Sequence, residues 1–234
     1  MKAKRMINLS LQAFALSITC AHAAVEWHWN ADGNGGDGNW GYTPGEKNWN
    51  TARGNPPASN VTWPDTGEEI AIFSTPAATV ATVVDEVRLN GLRLSGPELL
   101  LNAGTLRFAG ADSFVDVTSG QLTIDSIIDS EGALTKSGAG TAIFASDSIY
   151  SAKTVISAGK LILHGNSAST LFEIAPTATL EINQVQISPQ SEIKNQGSLT
   201  LGRDTTVANY HSTGGVLTAG NILHAGTFTS QGMT

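Results

Sequence analysis

Five tryptophans carry most of this chain's capacity for recognition chemistry, and all of them fall between Trp27 and Trp63. Flat indole faces stack on sugar rings, and each indole adds an N–H for a polar partner. Trp29, Trp40 and Trp49 are therefore the candidate ligand-binding residues, as a platform for an extracellular glycan. The same cluster suits a second task. Indoles packed together can cap the open end of a stacked β-fold, where core and an unpaired edge would otherwise meet water. We place capping ahead of sugar binding.

The remaining constellations are weaker. Gly33-Asn34-Gly35-Gly36-Asp37-Gly38 fits G-x-G-x-x-G spacing, yet a dinucleotide site needs a buried strand before it and a helix after it. Trp29-Asn30-Ala31-Asp32 and Asn39-Trp40-Gly41-Tyr42 supply neither. Asp32, Asn34 and Asp37 offer oxygen ligands in the manner of a calcium loop, but Thr43 stands where the bidentate Glu belongs. This stretch reads as a Gly-rich loop. Carboxylates are scattered as Glu68-Glu69, Asp85-Glu86, Asp112/Asp116 and Asp125/Asp129. In stacked coils, residues that meet lie about 20 positions apart. No acidic set is found at that interval beside a suitable Arg, so these carboxylates read as solvated turn residues. His28, His164, His211 and His224 lack H-x-x-x-H spacing, and no G-x-S-x-G elbow occurs. We assign no catalytic residue, no metal ligand set and no cofactor, and expect a protein that is not an enzyme.

The elements that would position these groups are strands. Leu106-Arg107-Phe108, Leu122-Thr123-Ile124, Leu161-Ile162-Leu163, Leu180-Glu181-Ile182 and Leu199-Thr200-Leu201 alternate with period two. A short unit, Gly or Ala two residues before Leu, recurs with Leu at 106, 122, 134, 161, 180, 199 and 217. The Leu spacings are 16, 12, 27, 19, 19 and 18, converging on one solenoid coil. The expected fold class is all-β: a right-handed parallel β-helix (β-solenoid) with an N-terminal Trp/Gly-rich cap, in about seven coils after Asn90. Gly138 and Gly140 are expected to make the tight turn that brings one strand back over the next. Asn183, Asn195, Asn209 and Asn221 follow strands, either as a stacked amide ladder or simply as turn residues.

The N-terminus reads as an export address. Lys2, Lys4 and Arg5 precede an apolar stretch from about Ile7 to Ile18, too short to span a bilayer comfortably. Ala21-His22-Ala23 supplies small residues for a signal peptidase, with cleavage before Ala24. The single cysteine, Cys20, would leave with that segment. Three of the 13 basic residues also lie there, leaving ten against 20 acids and a net charge of −10. That balance argues against nucleic acid and anionic membrane as partners. Charged residues make up 14% of the chain, against about 25% in an ordinary globular domain. We expect segments at 1–23 (signal), 24–69 (cap), 70–131 (degenerate coils), 132–163 (a distinct repeat) and 164–234 (further coils), with the last coil's edge open.

The distinct repeat carries a resemblance. Gly132-Ala133-Leu134-Thr135-Lys136-Ser137-Gly138-Ala139-Gly140-Thr141-Ala142-Ile143-Phe144 resembles the "G-L-T-K-x-G-x-G-T-L-x-L" opening of the autotransporter-associated β-strand repeat. Tyr150 to Leu163 is similar to its second half, "Y-x-G-x-T-x-I-x-x-G-x-L". Ala152-Lys153 departs from the usual Gly, and Ala142 from the usual Leu. The resemblance implies an exported passenger on the cell surface or outer membrane, with a structural or adhesin-like role. It also implies extracellular glycans or a host or neighbouring cell surface as partners, and an export machinery or outer-membrane translocator outside this sequence. Polysaccharide lysis or hydrolysis by a β-helix enzyme, and glycan binding by the Trp-rich head, are the alternatives.

Overall fold

The computed structural model describes residues 24–30, 36–52, 59–183 and 185–232. The expected signal segment with Cys20, and Asp32 and Asn34 of the calcium-like stretch, lie outside the described residues. Among those described there is no α-helix, and so none long and apolar enough to cross a membrane. The described residues form 19 strands in one sheet, wound as a β-solenoid of about 8 turns with parallel, in-register coil-to-coil pairing.

Each coil has three faces. On the first, Ala71, Leu92, Val115, Lys136, Ile156, Ile174 and Asn195 lie one above another. On the second, one column runs Leu99, Leu122, Ala142, Leu161, Leu180, Leu199 and Leu217. The third stacks Val87, Leu106 and Ile128, then narrows to single bridges joining Ile128, Ser148, Ser167 and Ile187. The period-two alternation explains the burial. In Thr141–Phe144 and Gly159–Leu163 the residues at Ala142, Phe144, Leu161 and Leu163 are inside, and their neighbours face water. Each fully buried Leu of such a column contributes about 1.5–3 kcal/mol through the apolar area it removes from water.

The three faces also account for the irregular early spacings. Leu106 belongs to the third face and Leu134 to the first, while Leu122, Leu161, Leu180, Leu199 and Leu217 share the second. Between Leu122 and Leu161 the second-face position is filled by Ala142. The Gly-x-Leu unit therefore marks a strand that starts after a corner, whichever corner that is. The turn at Gly138 and Gly140 needs a matching correction. It carries the chain from the first face to the second within one coil, and the strand lying on Thr141–Phe144 is Gly159–Leu163, one coil later. Gly138 holds φ +74°, and a Cβ there would stand 2.2 Å from the Val117 carbonyl oxygen of the preceding coil. Close approach, together with the left-handed backbone, is what requires glycine.

The four asparagines do not form one ladder. Asn183 meets His164, Asn209 pairs in strand register with Glu192, and Asn221 Nδ2 donates to the Leu201 carbonyl. Asn195 lies inside, where Nδ2 donates to Tyr210 Oη and the Val216 carbonyl and Oδ1 accepts from Gly197 N–H. At the far end, Leu223–Gln231 pairs along one edge with Thr205–Thr213, and no described residue pairs with its other edge.

Lys136 occupies the same interior column as Asn195 and is 1% exposed. Its Nζ donates to the carbonyls of Ser137 at 2.8 Å, Gly138 at 2.9 Å and Ala158 at 3.1 Å. A single ammonium thus ties the corner of one coil to the corner of the next. Burial pushes its pKa down to about 8, with Asp116 opposing. Replacing Lys136 by Met leaves three carbonyls without that donor, and we expect a loss of about 1–3 kcal/mol at pH 7 in urea unfolding. The folded amine releases its proton near pH 8 and the unfolded one near 10.5, so the unfolded state binds more protons in that window. Wild-type stability should therefore gain on that of the Lys136→Met protein as pH rises from 8 to 10.5; a constant difference would contradict the depressed pKa.

Candidate functional site

The tryptophan-rich head is a partial first coil. Glu26–Trp29 pairs in parallel with Ile70–Phe73, and Gly38–Trp40 pairs in parallel with Thr79–Val83. Trp49–Asn50 then runs antiparallel to Glu26–Trp29, and Trp49 bridges Val61. An antiparallel strand laid on the outermost edge interrupts the parallel stack at that place. The side chains follow the backbone inward. Trp29 stacks on Phe73 at 5.3 Å between ring centroids and meets Trp49 edge-on at 5.1 Å. Trp40 and Trp63 close the group, at 4.9 and 4.6 Å from Trp49.

Trp29, Trp40 and Trp49 are 5%, 0% and 0% exposed. The structure brings the three predicted residues together, but with their faces turned onto one another and onto Phe73. Sugar stacking needs an open face, and the indoles of Trp29, Trp40 and Trp49 turn theirs inward. Trp29 Nε1 donates to the Gly36 carbonyl and Trp63 Nε1 to that of Arg88. Trp40 Nε1 and Trp49 Nε1 are buried without a hydrogen-bond partner among the described residues, so ring packing fixes them.

The outer surface holds the charged groups, and stacking arranges them as ladders. On the first face Lys153 and Lys194 lie 3.3 and 3.5 Å from Glu173, while Lys194 and His211 both lie 3.8 Å from Glu192. A shallow groove of about 410 Å³ runs beside this ladder, lined by Val155, Glu173, Ala175, Lys194, Gln196 and His211. Earlier in the chain Arg93 meets Asp116 at 3.3 Å, and Arg107 meets Asp129 at 3.1 Å. Those Arg–carboxylate pairs sit one coil apart, an arrangement that sequence spacing did not bring out. Half-exposed pairs of this kind contribute about 0–1 kcal/mol each.

Chemically, these groups are already occupied. Glu69 accepts from the N–H groups of Thr66 and Gly67, Asp125 from the Ser146 hydroxyl, and Asp37 from Val80 N–H. Tyr150 is sealed inside with its hydroxyl on Thr154, and burial pushes its pKa up to about 12 against that hydrogen bond. Thr154 donates onward to Ser169, which donates to the Ala152 carbonyl. Among the described residues no group of three or more His, Cys, Asp or Glu side chains is placed to hold a metal ion. Lys136 and Asn195 lie inside, and the alternation Leu134-x-Lys136 and Ile193-x-Asn195 carries the signal, since both share the inward parity.

No protein-family model matches the chain, and no solved structure matches it. The chain is similar to the adhesin BmaC autotransporter of Brucella suis biovar 1 (strain 1330), 26% identical over 210 residues. The aligned region covers 87% of this chain and 6% of that protein, so the chain spans a small part of its relative's length. This distant relationship and the β-solenoid together fit an autotransporter passenger-type protein.

The buried cap makes a spectroscopic prediction. Acrylamide should quench most of the tryptophan emission weakly in the folded protein and strongly after unfolding, because Trp29, Trp40, Trp49 and Trp63 are at most 5% exposed and Trp27 alone is partly open to solvent. Trp49→Ala should cost about 3–5 kcal/mol in urea unfolding through the cavity it leaves. Free quenching in the native state, or a Trp49→Ala protein of unchanged stability, would contradict an inward cap.

Proposed function

We propose that this chain is a segment of an exported, surface-displayed passenger that acts without catalysis in cell-surface structure or adhesion. The observation that carries the reading is the similarity across 87% of the chain to an autotransporter adhesin. The fold supports it on physical grounds. Parallel stacking makes a stiff rod whose length grows with coil number and whose outer residues recur at one spacing along it. Such a body suits holding or presenting surface at a distance from the cell. The paired and backbone-bound carboxylates give no support to the polysaccharide-cleaving alternative.

The test is display of the chain. Fused ahead of an outer-membrane β-barrel translocator, it should become accessible to external protease and raise adherence of the host bacterium to cultured cells or matrix-coated surfaces several-fold. Incubation of the purified protein with plant and bacterial polysaccharides should release no reducing ends. Display without any gain in adherence, or sugar release at a steady rate, would overturn the proposal.

A further inference from the structure

The third face changes character midway along the solenoid. It is built from four-residue segments at Glu86–Leu89, Thr105–Phe108 and Ile127–Ser130, and then contracts to the bridges Ser148, Ser167 and Ile187. The contour caves in where the face shortens. Two adjoining cavities result, of about 440 and 420 Å³, which share Asp147, Ile149 and Asn166. Together they form one trough crossing several coils.

Its floor has two lanes. The apolar lane holds Ile149, 57% exposed, and Ala168 in the register set by the bridges, and continues into Ser188 and Pro189. Across the bridge column runs a polar lane headed by Ile127, 42% exposed, with one planar group in each later coil: Asp147, Asn166 and Gln186. Asp147 and Asn166 are locked in place. Asp147 Oδ1 accepts from Asn166 N–H at 2.9 Å, and Asn166 Oδ1 accepts from Gln186 N–H at 3.1 Å. Fixing one oxygen of each group orients the rest of it, Asp147 Oδ2 and Asn166 Nδ2, before any ligand arrives.

We propose that this trough binds a neutral, linear glycan lying along the solenoid axis. Sugar rings offer C–H faces to an aliphatic lane and hydroxyls to carboxylate and amide groups, and the trough supplies both side by side. Successive planar groups recur with the coil rise of about 4.8 Å, close to the length of one pyranose unit in an extended chain. A peptide strand is disfavoured because the local backbone is already spent. Ser148, Ile149, Ser167, Ala168 and Ser188 all donate their N–H groups to neighbouring coils. A polyanion is disfavoured too, since Asp147 lines the trough and, among the described residues, no Lys or Arg does. This inference deepens the adhesive reading and rests on it only for its biological use.

The test is affinity electrophoresis of the folded chain through gels containing soluble β-1,4-glucan, β-1,4-mannan, β-1,3-glucan or, as an acidic counterpart, polygalacturonate. Retardation is expected in at least one neutral gel and should be insensitive to salt. Ala168→Arg, which fills the apolar lane, and Asn166→Asp, which keeps the Oδ1 acceptor but removes the Nδ2 donor, should each weaken it roughly tenfold. Both variants should retain the wild-type thermal midpoint, which separates lost binding from lost folding. No retardation in any neutral gel, retardation only by polygalacturonate, or full retardation of both variants would overturn the proposal. Adherence of displayed cells tells the two readings apart. Undiminished adherence of the Ala168→Arg protein removes the trough and leaves adhesion standing, whereas glycan retardation without adherence does the reverse.

Discussion

Parallel in-register stacking obliges every side chain to lie over its equivalent in the preceding coil, about 4.8 Å away. Inside, this rule demands columns that tolerate like on like, and Leu122, Ala142, Leu161, Leu180 and Leu199 meet it. Outside, the same rule lines up charged groups as ladders such as Glu173, Lys194 and His211. Backbone hydrogen bonds run from coil to coil throughout, so the stack needs neither a disulfide nor a helix to hold it.

The constraint is hardest to satisfy at corners, where strands stop and carbonyls lose their ladder partners. Different corners solve it differently. Lys136 reaches from inside to three carbonyls, Asn195 bonds Tyr210, Val216 and Gly197, and Asp147 and Asn166 bond the backbone one coil on from outside. An unpaired buried carbonyl costs about 1–3 kcal/mol, which explains why polar side chains are tolerated in an otherwise apolar column. The Trp-rich head buries apolar surface in another way, with the rings of Trp29, Trp40, Trp49 and Trp63 packed on one another and on Phe73.

Much of this was legible in the residues. Period-two triplets located the strands, and the late Leu spacing of 18 and 19 gave the coil length. The clustering of all tryptophans before Ile70 pointed to the cap. What stayed hidden was which of three faces a strand occupies, because Gly-x-Leu follows every corner; Leu106 and Leu134 could not be separated from Leu122 by local pattern. Lys136 was hidden by expectation rather than by pattern, since its parity with Leu134 already placed it inside. The trough was hidden for a different reason. It arises where a strand becomes too short, at Ser148 and Ser167, and its lanes join residues about 20 apart that only coil geometry brings together.

The functional reading rests on the rod being a parallel three-faced stack, and methyl–methyl contacts in an NMR spectrum of the labelled protein test that most directly. Ala142 should show contacts to both Leu122 and Leu161, and Leu161 to Leu180, while Leu134 should contact the Thr154 methyl of its own face. Contacts placing Leu134 between Leu122 and Leu161, or an antiparallel pattern between Thr141–Phe144 and Lys153–Ile156, would contradict the stack.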